Sequence, residues 1–147
     1  ISDNEPVDSI PSGLKQLARA ELLAFQNKND AALTALNSLF TKKGVFINGL
    51  IPGEVIYDDV LFFKAKLLIK QEKYTEAIAN LSKIIVADNQ GFLTDDIYFM
   101  MAEIYHNNLN NTEKAQVYYQ KIIFEHPSSI YLVDARKKYR KLRGDNL

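Results

Sequence analysis

Two stretches of this 147-residue chain can be laid over one another, and that self-similarity constrains the fold more than anything else in it. "DDVLFFKAKLL" (Asp58–Leu68) matches "DDIYFMMAEIY" (Asp95–Tyr105): paired Asp, an aliphatic residue, Phe at the fifth place and Ala at the eighth. The continuations agree as well. "YTEAIANLSKII" (Tyr74–Ile85) and "TEKAQVYYQKII" (Thr112–Ile123) share an alanine and the ending Lys-Ile-Ile. A fainter copy runs from Leu17 to Phe40, and "SSIYLVDARKKY" repeats only the first half of the unit. A fixed period of this kind is the signature of a stacked array, in which each unit buries its apolar face against the next.

Each half-unit carries helical spacing. Leu61, Ala65 and Leu68 fall at i, i+4 and i+7, as do Tyr98, Ala102 and Tyr105; Ala77, Leu81, Ile84 and Ala115, Tyr119, Ile122 repeat the pattern in the second halves. Asp58–Asp59 and Asp95–Asp96 suit helix starts, where unpaired N–H groups and the dipole favour acids. The polar breaks "KQEK" and "NNLNN" separate the halves. The unit is therefore a helical hairpin, and the chain reads as an all-α protein of seven helices in three and a half copies. Hairpins are expected at about 12–42, 58–87 and 94–125, and a closing helix at about 129–143.

With small residues at Ala20, Ala65, Ala102 and Ala135, and again at Ala32, Ala77 and Ala115, the unit resembles the tetratricopeptide repeat. In that repeat a small residue stands at position 8, Ala at 20 and often Pro at 32, which Pro127 matches in the third copy. The resemblance covers about Ser12 to Arg143 and implies a right-handed α-solenoid with a capping helix. Departures exist: no copy has Gly at position 8, none has Trp at position 4, and copy three carries one extra residue in its turn. Ala77 to Ala115 spans 38 residues but Ala32 to Ala77 spans 45, the excess lying in the link "TKKGVFINGLIPGEVIYDD". Asn48-Gly49 between apolar residues is a local hairpin signal there, read as a flap folded on the first two repeats or as a partner-contact loop.

The resemblance implies a concave binding face lined by positions 5, 9, 12 and 13 of the first helices. These are Phe62, Lys66, Ile69 and Lys70 in copy two, Phe99, Glu103, His106 and Asn107 in copy three, and Leu132, Arg136, Tyr139 and Arg140 in the closing helix. Rings and charges together would suit a peptide laid along a groove, with Phe62 and Phe99 as anchors and the cations steering acidic residues. The alternative is that these two rings pack against neighbouring helices. Phe at position 5 of both strong copies argues against the Lys/Asn carboxylate clamp of chaperone-tail tetratricopeptide domains.

The ending "HPSSIYLVDARKKYRKLRGDNL" places six basic residues among the eight from Arg136 to Arg143. Leu132, Ala135, Tyr139 and Leu142 form one apolar stripe through it, so the reading is a cap that covers the open end of the array, started by Ser128 or Ser129 and stopped at Gly144. The alternative is an anionic partner, nucleic acid included. With 18 basic and 18 acidic residues the chain as a whole has no strong pull on nucleic acid, and none is expected as a partner.

No apolar run reaches the length of a membrane span. The absence of cysteine removes disulfides, thiolate zinc sites and cysteine nucleophiles. His106 and His126, twenty residues apart, have no local metal-ligand spacing, and no phosphate loop, nucleophile elbow or HExxH motif occurs. Neither cofactor, metal nor catalysis is expected. The polar opening "ISDNEPVDSIPSG" reads as a linker over residues 1–11 before a domain at 12–147, in a piece from the C-terminal end of a longer protein. "PxSxYxxxAR", here Pro127, Ser129, Tyr131, Ala135 and Arg136, resembles the repeats of bacterial envelope-associated scaffold proteins, which implies the cell envelope. The expected function is a non-catalytic scaffold that binds a partner protein segment. Self-association through copy one or the link 44–57, giving a homo-oligomer, is the second reading.

Overall fold

A computed structural model of the chain describes residues 12–39, 55–87 and 89–145. Among them are seven α-helices: α1 (Ser12–Phe25), α2 (Asn29–Asn37), α3 (Val55–Lys70), α4 (Tyr74–Ala87), α5 (Thr94–Asn107), α6 (Thr112–Glu125) and α7 (Leu132–Arg143). They pack as antiparallel neighbours, α1 on α2, α3 on α4, α5 on α6 and α6 on α7, with thinner contacts from one hairpin to the next. This is an all-α helical repeat solenoid. The expected linker over residues 1–11 and the flap at Asn48-Gly49 lie outside the described residues.

The alanines that mark the repeat sit where helices approach closely. Ala20, Ala32, Ala65, Ala77, Ala102, Ala115 and Ala135 are all fully buried. A larger side chain at any of them would have to push two helices apart, which typically costs about 1–3 kcal/mol. Between them, Leu36, Leu61, Leu68, Leu81 and Ile84 fill the first hairpins.

The turns inside the hairpins repeat as faithfully as the helices. Asn27, Glu72 and Asn110 each have positive φ, at 60°, 60° and 50°. A single left-handed residue lets the chain reverse and satisfies the last helical carbonyls. Lys28 N–H donates to the Leu23 carbonyl at 2.8 Å and Lys73 N–H to that of Leu68 at 2.8 Å. In the third copy Asn111 N–H reaches back one residue further, to Tyr105 at 2.8 Å, which accommodates the extra turn residue. The Asn111 side chain then caps α6 by accepting from Lys114 N–H at 3.0 Å.

Two boundaries differ from the sequence expectation. α3 begins at Val55, so Asp58 lies within its first turn and not ahead of it. α7 begins at Leu132, and no side chain caps it. Ser129 instead stabilises the approach, its hydroxyl accepting from Tyr131 N–H at 3.0 Å. The far end behaves as expected: Gly144 takes φ 94°, and Gly144 and Asp145 N–H close onto the Lys141 and Arg140 carbonyls at 3.1 and 3.0 Å.

Candidate functional site

A cleft of about 400 Å³ opens between the first helices of the second and third hairpins, closed at one side by the approach to α7. Phe62 and Lys66 come from α3, and Asp96, Phe99, Met100 and Glu103 from α5; Tyr131 completes the wall. Helical geometry explains the convergence, because Phe62/Lys66 and Phe99/Glu103 are each one turn apart on the same helix face.

Both readings of the two phenylalanines meet here. Phe99 stacks on Tyr131 with ring centroids 4.5 Å apart and meets Tyr119 edge-on at 6.0 Å. Phe62 packs partly on the aliphatic core while the Lys66 ammonium lies over its ring, 4.5 Å from the centroid. Each ring is half-buried, so each takes part in the packing and still borders the cleft.

The carboxylates of the cleft each anchor a hydrogen-bonded cluster. Glu103 accepts from Tyr119 hydroxyl at 2.8 Å and Asn107 amide at 3.0 Å, and pairs with the Lys138 ammonium of α7. Partial burial alone would raise the Glu103 carboxyl, but the bonds from Lys138, Tyr119 and Asn107 outweigh it and hold the carboxyl below the usual glutamate range. Asp96 accepts from the Tyr131 hydroxyl at 2.7 Å. That bond, followed by burial, pushes the Tyr131 phenol up to about 12. Both carboxylates of the cleft are therefore engaged by this chain's own donors. The Lys66 ammonium has no carboxylate partner among the described residues.

Of the residues named from sequence, Phe62, Lys66, Phe99 and Glu103 converge in this cleft. Asn107 reaches it through Glu103. Ile69 packs partly into the core, Lys70 is exposed at the end of α3, and His106 is half-buried near the end of α5. Arg136, Tyr139 and Arg140 line a separate, smaller depression with Ile123 and Phe124 of α6. The reason is the rotation of α7: Tyr131 and Lys138 face α5, and Tyr139 turns toward α6.

Sequence reasoning missed Asp96, Met100, Tyr131 and Lys138. Asp96 was explicable as a helix-start acid, and only contact between separate elements reveals it as the acceptor for Tyr131. Met100 directly follows Phe99 and had a signal in that neighbourhood. A still larger opening on α1 and α2, about 540 Å³, is lined by Arg19, Leu23 and short side chains such as Ala31, Thr34 and Ser38, with no aromatic ring among them. Among the described residues no three metal-ligating side chains gather, and no helix is long and apolar enough to cross a membrane.

With this geometry in place, a family model described as tetratricopeptide repeat matches residues 96–129, the span of one unit from α5 to the turn before α7. None of the curated proteins matches the chain. The match to one unit and the seven-helix repeat array together make this a tetratricopeptide-like repeat protein.

Proposed function

We propose that this tetratricopeptide-like repeat protein is a non-catalytic interaction module that holds a segment of a partner protein in the cleft between α3 and α5. Repeats of this type generally mediate protein–protein interaction, and the finer reading rests on one observation. The cleft combines partly buried rings, from Phe62, Phe99 and Tyr131, with a single cation that lacks a carboxylate partner among the described residues, Lys66. Aromatic walls supply contact area at low entropic cost. A lysine whose charge is unmatched favours an acidic neighbour on the ligand, chiefly through orientation and association rate. The segment that fits is short and extended, with a bulky apolar side chain between the rings and an Asp or Glu beside it.

Selection of random peptides against the intact chain tests this reading. The expected result is enrichment of an apolar residue next to an acid, lost when the selection is repeated on Lys66→Glu/Met100→Glu. Enrichment of basic peptides, or of the same motif by both proteins, would refute the cleft as the site. Circular dichroism of the variant serves as the folding control.

A further inference from the structure

The second depression, on α6 and α7, carries features that a capping role leaves unexplained. Ile123 and Phe124 form one wall, and Arg136, Tyr139, Arg140 and Arg143 the other, around about 190 Å³. α7 holds six cations and one carboxylate in its twelve residues. Lys138 is spent on Glu103 and Arg143 on Asp145. Arg136, Lys137, Arg140 and Lys141 have no carboxylate partner among the described residues.

A solvated outer face of a cap accounts for exposed lysines and arginines. It does not account for the apolar side chains that accompany them. Phe124 is 73% exposed, Ile130 85% and Val133 60%. Phe124 lines the depression beside the arginines and Val133 stands three residues before Arg136 on α7, and exposed apolar side chains next to a cationic row mark an interaction surface more readily than single scattered ones do. Arg136 and Arg140 also stand one turn apart, so their positive charge runs along the helix beside the exposed Phe124 ring.

We infer that this face of α6 and α7 docks an acidic amphipathic helix of a partner protein, its carboxylates on Arg136 and Arg140 and its apolar side chains on Phe124 and Val133. The twelve residues of α7 extend about 18 Å, room for roughly three turns of a helix laid alongside. Carboxylates one turn apart on that helix match guanidiniums one turn apart on this one, in the fork geometry that arginine favours. A phosphate array fits less well. Glu125 and Asp134 adjoin Phe124 and Val133 in the chain, and the molecule is neutral overall. The surface is separate from the α3–α5 cleft, and the inference does not depend on the cleft's function.

The test uses the full chain and a fluorescent synthetic amphipathic peptide with Glu at i, i+4 and i+7 and Leu on the adjoining face. Two companions replace every Glu by Lys or every Leu by Ser. Anisotropy titration is expected to show binding of the first peptide only, weakened about tenfold or more by Arg136→Glu/Arg140→Glu and by Phe124→Ser. Amide shifts of the unmodified chain should move at Phe124, Val133, Arg136 and Arg140, a readout that needs no variant. Equal binding of the three peptides, no binding, or indifference to both variants would overturn the inference. So would tighter, arginine-dependent binding of a single-stranded oligonucleotide or of phosphatidylserine vesicles, which are run in parallel.

Discussion

In the first two hairpins the space between helices is filled by leucine and isoleucine: Leu36, Leu61, Leu67, Leu68, Leu81 and Ile84. In the third hairpin and α7 it is filled mainly by tyrosine and alanine beside Ile122, with Tyr98 and Tyr119 buried and Tyr118, Tyr131 and Tyr139 packed around them. Helix α5 belongs to both, presenting Ile97, Met101 and Ile104 to the aliphatic cluster and Tyr98 and Ala102 to the aromatic one. The first region is held chiefly by apolar contacts, with the Gln71 amide donating to the Asp30 carboxylate between hairpins. The second is pinned by directed bonds, Tyr119 to Glu103, Tyr131 to Asp96 and Lys138 to Glu103. Those same carboxylates line the cleft, so the network that docks the closing helix also fixes the walls of the candidate site. Binding surfaces gain from such rigidity, because less ordering remains to be done when a ligand arrives.

The contrast can be broken in graded steps. Leu81→Ala removes a fully buried side chain from the aliphatic region and is expected to cost about 2–5 kcal/mol in denaturant unfolding, with the whole array affected. A cost near zero would mean that the first hairpins are not the packed core described. Glu103→Gln should cost less, about 1–2 kcal/mol, and its effect should be local. Hydrogen exchange would then quicken in α6 and α7 and stay unchanged in α1 and α2; uniform acceleration would argue against a separate polar anchor. Because the Glu103 carboxyl is held below its usual range, its contribution is complete above the unfolded value of roughly 4.3 and fades as pH falls through the lower folded value. The Gln variant should flatten that acid limb. Tyr131→Phe is the mildest change, about 1 kcal/mol, since only one hydrogen bond is lost and the stack on Phe99 survives. The phenol is raised, so its contribution is present below the ordinary tyrosine value of roughly 10 and disappears as pH rises toward 12. An alkaline melting profile that the Phe variant shares with the intact chain would remove this role.

The period of the repeat was fully legible in the chain, because helix spacing and buried alanines are local patterns that packing then reinforces. Six of the chain's eight tyrosines lie from Tyr98 onward, a visible imbalance whose meaning only appeared with the third dimension. Phe62, Lys66, Phe99 and Glu103 were found through their places in the repeat, since the first helices keep one rotation through copies two and three. That rule lost its hold at α7, where Arg136, Tyr139 and Arg140 turn away from the cleft. α7 settles by its own stripe of Ala135, Tyr139 and Leu142 against α6 and by the pull of Glu103 and Asp96 on Lys138 and Tyr131. Side-chain bonds between elements 35 residues apart leave no periodic trace in a sequence.

The central claim, that the α3–α5 cleft is a ligand site, is tested most directly by titrating a selected acidic–apolar peptide into the isotope-labelled chain and following amide shifts. The account predicts movement centred on Phe62, Lys66, Phe99, Met100 and Tyr131, with α1 and α2 silent and the response abolished in Lys66→Glu/Met100→Glu. Shifts confined to α1 and α2, or undiminished in that variant, would contradict it.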